Sequence, residues 1–326
     1  MSAIRISRGT KTLIAAGLMG ASVAVAAQVY PAKPVRIITG GPGTLMDVVA
    51  RHLGQRLGER WGQPAVVENR GGAGFTIGTG IAARSVPDGY TLALADRTAL
   101  AAAPSLYKTL SYDPVKDLAP ITLVAVAPTV LVSNPSISAA NLREFIVYAK
   151  QHKGALDFAS SGPGTVGHMT NELLRHAAGI DLVNVHYKGG GAAMAAIVSG
   201  EAKAGFVTAA NTLSMVKAAK LKAYAVTGKK RFAGAPDIPT ADEAGLPGFE
   251  SIYWVGMVVP AGTPSQIIAK LNGDFVEILK SPSMRAALVA QGAEAASGTP
   301  EEFSAFIKSE TVKLKKVIDL TGMRAD

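Results

Sequence analysis

The sequence predicts an α/β protein of two domains, each a mostly parallel sheet flanked by helices. Three observations lead there. Short β-branched runs alternate with stretches of helical spacing along nearly the whole chain, an order that sets strands side by side with helices on both faces. Turns rich in Gly and Pro stand where strands hand over to helices. The chain has 326 residues, more than one simple hydrophobic core organises.

Taken in order, Val35-Arg36-Ile37-Ile38-Thr39 is a short β-branched run, and Leu45 to Leu57 then carries apolar residues at helical spacing. Ala65-Val66-Val67 begins another strand, Thr76 to Arg84 reads as a helix, and Tyr90 to Ala95 as a strand. Ile121 to Val132 is a long β-rich run with Pro128 inside it. A helix over Leu142 to Lys150 leads to a strand at Leu156 to Ser160, then a helix over Met169 to Ala178. Next come Val183 to Tyr187 (strand), Ala192 to Val198 (helix), and the strands Ala204 to Thr208 and Ala223 to Thr227. Pro236-Asp237-Ile238-Pro239 is an irregular connection, and Trp254 lies in an apolar run, Ile252 to Val259, which suits a core. Amphipathic helices over Pro264 to Leu279, Ser283 to Gln291 and Pro300 to Leu320 close the chain.

The two β-rich runs, Ile121 to Val132 and Ala223 to Thr227, bracket the middle block of strand–helix units. That order predicts one lobe from residues 28–126 plus 228–326 and a second from residues 127–227. The bracketing runs would be the two crossover strands, where backbone rotation opens a cleft.

Residues 1–27 read as a secretory signal. Arg5, Arg8 and Lys11 form a basic start, Thr12 to Val25 is apolar, and Ala24-Val25-Ala26 offers cleavage after Ala26 or Ala27. The apolar run is shorter than the roughly 20 residues a membrane span needs. Removing this segment lowers the formal charge from +9 to +6. That excess is spread out, and the chain is only 6% aromatic, whereas nucleic-acid binders concentrate charge on one face and interleave aromatics. A mildly basic surface suits attraction of small anions. Cysteine is absent, which excludes disulfides, thiolate catalysis and thiolate metal sites.

Two turns look alike. Thr39-Gly40-Gly41-Pro42-Gly43-Thr44 leaves a strand and opens a helix, with Asp47 three residues after Thr44. Ser160-Ser161-Gly162-Pro163-Gly164-Thr165 does the same, with His168 three residues after Thr165. Gly and Pro permit the tight turn, Thr is a good N-cap, and a helix N-terminus exposes unpaired N–H groups with a partial positive charge. Each loop is thus a ready anion site, and two facing across a cleft would hold a carboxylate from both sides. Asp47 suits either a capping box to Thr44 or a place near ligand; His168 suits either a site or a hydrogen bond to its loop. A third turn, His186-Tyr187-Lys188-Gly189-Gly190-Gly191, also leaves a strand and opens a helix. Lys188 there is either a cation for ligand or a solvated strand end. Arg97, followed by Thr98 just past the strand over Tyr90 to Ala95, is another candidate cation, able to bind a carboxylate bidentately or to pair with Asp96 or Asp117.

Catalytic and cofactor patterns do not assemble. Gly162-Pro163-Gly164-Thr165-Val166-Gly167 satisfies G-x-G-x-x-G, but the next strand, Val183 to Tyr187, runs into Lys188-Gly189 without the ribose-binding acid at its end. No P-loop pattern occurs, the serines near Gly162 lack the G-x-S-x-G context, and none of the five histidines forms H-E-x-x-H. His168 and His176 stand two turns apart on one helix, too far for shared ligation of a metal. No cofactor, metal or catalytic residue is expected.

With these segments in view, the chain resembles the Bug-type solute receptors, the extracytoplasmic binding proteins of tripartite tricarboxylate transporters. Tyr30-Pro31-x-Lys33-Pro34 looks like the family's mature start, and Val67-Glu68-Asn69-Arg70-Gly71-Gly72-Ala73-Gly74, Pro87 to Leu92 and Tyr112 to Ile121 look like its next blocks. Ser160 to Gly164 with His168, His186 to Gly189, Ala225-Val226-Thr227, Arg231, Pro239-Thr240 with Glu243 to Leu246, Trp254, Pro260 to Pro264 and Leu271-Asn272 follow in order. The resemblance implies a two-lobed periplasmic binding protein of the Venus-flytrap type that captures a small organic carboxylate, presents it to membrane permease subunits and acts as a monomer. It implies a grip through backbone groups of the two facing loops, often by way of ordered waters, and it gives Gly41, Pro42, Gly43, Thr44, Asp47, Arg97, Thr98, Ser160, Ser161, Gly162, Gly164, Thr165, His168, Tyr187, Lys188 and Gly189 as candidate ligand-binding residues. One departure stands out: family members commonly read Pro-Phe-x-Pro-Gly-Gly-x-x-Asp after the first strand, and here Thr44 replaces the second glycine. A periplasmic hydrolase or transferase on the same scaffold, or a carboxylate sensor that only signals, are the alternatives to a transport receptor.

Overall fold

A computed structural model describes residues 30–325; the expected signal segment and its cleavage position lie outside the described residues. The elements are β1 (Val35–Thr39), α1 (Leu45–Trp61), β2 (Ala65–Asn69), α2 (Thr76–Ala83), β3 (Thr91–Asp96), a π-helical turn (Thr98–Ala102) that runs into α3 (Ala103–Leu106), and β4 (Leu118–Ser133). The middle of the chain forms α4 (Leu142–Gln151), β5 (Asp157–Ser160), α5 (Val166–Ala178), β6 (Val183–His186), α6 (Gly190–Ser199), β7 (Ala204–Thr208), α7 (Ala209–Lys217) and β8 (Lys222–Val226). It finishes with β9 (Ile252–Pro260), α8 (Ser265–Lys280), α9 (Pro282–Ala290), β10 (Glu294–Ala295) and α10 (Pro300–Thr321).

Local chemistry sets the helix bounds. Gly62, at φ 63°, ends α1 in the left-handed conformation that glycine adopts without a Cβ penalty. Thr299 and Glu302 form a reciprocal capping box at the start of α10, with Pro300 in its first turn and Gly322 (φ 66°) after its end.

Two sheets share one strand. The first runs β2-β1-β3-β9-β4, with β1 parallel to β2 and β3. The second runs β4-β7-β5-β6, with β5 parallel to both neighbours and β8 also on β4. The strand–helix units are therefore parallel, as expected, while β4 and β9 run antiparallel to their neighbours because they carry the chain across and back. Residues Leu118 to Pro128 of β4 pair with β9, and Thr129 to Ser133 pair with β7 and β8. The switch falls at Pro128. With no N–H to donate, proline suits the point where a ladder changes partner.

The chain crosses between the sheets twice, once within β4 and once on the return. The return is not made by Ala223 to Thr227, as the sequence order suggests. β8 stays in the second sheet, and the crossing lies at Ser251, whose N–H donates to the Thr227 carbonyl just before β9 begins. Phe232, Ala235 and Ile238 pack on one face of the second sheet, and Ala241, Leu246 and Phe249 on the other. The stretch 228–250, expected with the first lobe, therefore packs with the second; periodicity does not reveal which core an irregular segment will cover. The first core holds Ile37, Leu53, Leu92, Val124, Phe275 and Phe303 with Trp254, which is fully buried and donates through Nε1 to Glu310 at 3.0 Å.

Candidate functional site

The two Gly-Pro-Gly-Thr turns fold alike. Thr44 Oγ1 donates to the Gly41 carbonyl at 2.8 Å, and Thr165 Oγ1 to the Gly162 carbonyl at 2.7 Å. Gly43 and Gly164 adopt φ 73° and 70°, and the threonines that follow are extended at φ −77° and −73°. The Gly43 N–H donates to Asp47 Oδ2 at 2.9 Å, and the Gly164 N–H to His168 Nδ1 at 3.1 Å. Asp47 and His168 thus do the same work from the first turn of each helix. Asp47 also accepts from Asn69 (2.8 Å) and Arg51 (2.9 Å). Burial opposes its charge, but these bonds outweigh it and hold the carboxyl below its usual range.

Both threonine hydroxyl protons are spent inside the loops. What each loop leaves available to a ligand is its helix N-terminus, whose first N–H groups have no intrahelical acceptor.

A cleft of about 470 Å³ separates the two turns. Pro42, Gly43, Thr44 and Leu45 line one side, with Gly74, Asp96, Thr98 and Tyr253; Ser161, Thr165, Val166 and Gly167 line the other, with Gly190, Gly191, Met194 and Phe206 to Thr208, and Thr129 lies at the strand switch. The N-termini of α1, α5, α6 and α7 all open here, each following the C-terminal end of a strand. Ligands of open α/β sheets bind at such strand ends. No Lys, Arg or His lines the cleft among the described residues.

Of the sequence candidates, Pro42, Gly43, Thr44, Thr98, Ser161 and Thr165 line the cleft. Gly41, Gly162 and Gly164 shape the turns, and Asp47 lies behind the first of them. Gly189 (φ 95°) caps α6, Lys188 is exposed beside it, and Tyr187 turns away to Glu201 at 3.0 Å. Arg97 lies beneath the cleft wall, 1% exposed, donating to the Ile252 carbonyl at 2.8 Å and Ser251 Oγ at 3.3 Å. It braces the return crossing instead of pairing with Asp96 or Asp117. Burial pushes its guanidinium down to about 10.

Asp96 and Tyr253 escaped the sequence reading as site residues. Asp96 closes β3, accepts the Ala99 N–H at 3.0 Å as a cap, and accepts the Tyr253 hydroxyl at 3.2 Å. Desolvation pushes its carboxyl up to about 6 despite those bonds. Its position at the C-terminal end of a strand was the available signal; Tyr253 gave none, because β9 reaches the cleft only through tertiary pairing.

Behind the second turn, Ser160 Oγ lies 2.6 Å from His186 Nδ1, and the His168 and His186 rings meet edge to face with centroids 4.6 Å apart. These two histidines flank a separate cavity of about 240 Å³ shared with Glu172, Arg175 and the C-terminal Met323 and Arg324. Burial, then the His186 charge, pushes His168 down to about 4, so it is neutral and its Nδ1 accepts. The Ser160–His186 contact has the spacing of a nucleophile and base. Ser160 is 1% exposed and is not among the described residues that line the cleft.

Residues 49–323 match the profile of the tripartite tricarboxylate transporter family receptor. Protein BugT of Bordetella pertussis is 35% identical over 321 residues, spanning 97% of this chain and 98% of that protein. The structure of the periplasmic binding protein BugD aligns with a TM-score of 0.79 at 34% identity, covering 90% of this chain and 99% of the other. MatC from Rhodopseudomonas palustris, solved with bound malate, aligns with a TM-score of 0.78 at 31% identity over 89% of this chain and 100% of the other. R. palustris Rpa4515, solved with adipate, gives 0.83 at 29% identity over 90% and 99%. Sequence and fold agree along almost the whole length, and the chain belongs to the tripartite tricarboxylate transporter receptor family.

Proposed function

We propose that this receptor binds a small organic carboxylate between its two sheets and delivers it to its permease, without chemical turnover. The observation that carries the reading is the pair of matching turns across one cleft, with helix N-termini converging and no basic side chain in the lining among the described residues. Backbone N–H groups and helix dipoles favour an anion there. The ligand-binding set is then Gly41 to Thr44, Thr98, Ser161 and Thr165 with the turn residues Ser160, Gly162 and Gly164; Asp47 and His168 position the loops. Arg97, Tyr187, Lys188 and Gly189 act at a distance. The relatives solved with malate and adipate support a carboxylate. A cleft of about 470 Å³ also leaves room for ordered waters, each taking about 30 Å³.

Export with cleavage after Ala26 or Ala27 and action as a monomer complete the proposal. No helix among the described residues is long and apolar enough to cross a membrane. The test is thermal unfolding of the mature protein with carboxylates and with their amides. A ligand bound only to the folded state adds about 2.7 kcal/mol at a hundredfold excess over Kd. Carboxylates should raise Tm and amides should not; equal shifts would show that the anion is not what is recognised. Mass spectrometry of ligand incubated with the protein should return it unchanged, and conversion would establish an enzyme.

A further inference from the structure

We propose that Asp96 makes the cleft selective for carboxylates that also carry an ammonium group; the inference rests on the carboxylate-receptor reading above. Asp96 is the only acidic or basic side chain lining the cleft among the described residues. An anion site would ordinarily exclude a carboxylate from its wall. Like charges held close together repel, and such juxtaposition discriminates between ligands.

The protein does not neutralise Asp96 itself. Its oxygens accept two N–H groups, from Ala99 at 3.0 Å and from Thr98, and one hydroxyl, from Tyr253 at 3.2 Å. All three donors are neutral, and a carboxylate offers about four acceptor directions, so one is left for a ligand. The neighbouring cation, Arg97, is turned to Ile252 and Ser251 and forms no ion pair with Asp96. The other titratable groups around it are Tyr253 from β9 and Tyr112 from the segment before β4, with Glu310 of α10 facing Arg97. None brings a positive charge into the cleft.

Two routes remain for relieving the repulsion: a proton on Asp96 or a cation on the ligand. Burial lifts the carboxyl only to about 6, which leaves it mostly ionised at neutral pH. With Arg97 turned to Ile252 and Ser251 and no cation in the lining among the described residues, a cation on the ligand relieves the repulsion without proton uptake. The ligand's carboxylate lies toward the N-termini of α1 and α5, and its ammonium toward Asp96 and the hydroxyls of Thr98 and Tyr253.

Calorimetry on the mature protein with matched probes tests this: succinate against aspartate, glutarate against glutamate, butyrate against 4-aminobutyrate. At least one ammonium-bearing probe should bind about tenfold or more tightly than its plain partner, a gap well below the roughly 10⁴-fold that sites reach when a buried polar group is left unpaired. Asp96→Asn should close that gap by weakening the first and strengthening the second, and Asp96→Glu should keep it. The wild-type gap should also narrow as pH falls through about 6, a readout that needs no variant. Plain acids binding as well as their amino partners, or a gap that survives in Asp96→Asn, overturns the role of Asp96 while the carboxylate reading stands. If uncharged analogues bind and no carboxylate does, both fall.

Discussion

Asp96 carries a cost in the empty protein. Burial pushes its carboxyl, part of an 8% exposed residue, up to about 6 from its ordinary 3.8. The folded state thus holds a proton that the unfolded chain has already lost, and stability falls as pH rises from 3.8 through 6. The shift corresponds to roughly 3 kcal/mol at neutral pH. Asp96→Asn should therefore raise Tm at neutral pH, by somewhat less than this because one acceptor is lost, and should have little effect at acid pH. A lower Tm at neutral pH would show that the carboxylate stabilises the fold. Arg97 behaves oppositely. Removing this buried cation leaves the Ile252 carbonyl without its side-chain donor, while Ser251 Oγ keeps the Thr170 hydroxyl at 2.7 Å, so Arg97→Ala should lose about 1–3 kcal/mol in denaturant unfolding. Because Arg97 does not line the cleft, the variant that remains folded should still bind ligand.

At the level of elements, the second turn depends on three contacts. Gly164 has φ 70°, and a Cβ there would lie 3.1 Å from Leu106 Cδ1. Gly164→Val should cost more than the 1–2 kcal/mol of a left-handed L-residue and should weaken binding by displacing the α5 N-terminus. Thr165 makes no side-chain bond to its helix; its hydroxyl closes the loop on Gly162. Thr165→Ala should cost about 1 kcal/mol with a smaller loss of affinity. His168 takes the place of Asp47, so His168→Asp should preserve the loop at neutral pH and His168→Ala should not. His168 titrates at about 4 in the fold against 6.5 ordinarily. Below 6.5 the unfolded chain gains a proton that the folded chain refuses, so stability falls as pH drops from 6.5 toward 4. In His168→Asp that decline should flatten, as read by unfolding at a series of pH values.

For the whole molecule, the chain passes between the two sheets at Pro128 and Ser251. Thr129 and Thr227 sit between them, linked by hydroxyl and backbone bonds, and Thr227 Oγ1 also donates to the Ser251 carbonyl. We propose that the lobes are divided at these two points and close on ligand. Solution scattering should then show a smaller radius of gyration with ligand bound, and hydrogen exchange should slow at the residues of the cleft. An unchanged radius under saturating ligand would mean a preformed cleft.

The strand–helix alternation, the matching turns, the burial of Trp254 and the family itself were legible in the sequence. Each depends on neighbours close in the chain, or on segments whose order alone is diagnostic. The sequence did not show that 228–250 covers the second sheet, that Arg97 turns inward, or that His186 meets His168. Nor did it show that Asp96 and Tyr253 share the cleft wall. The Asp96–Tyr253 pairing joins residues 157 positions apart, brought together by β9 returning beside β3. Local propensity decides which residues are strand or helix and where a loop tightens. Which buried charge lines the cleft and which bonds the return crossing depends on which strand lies next, and only the tertiary structure decided that.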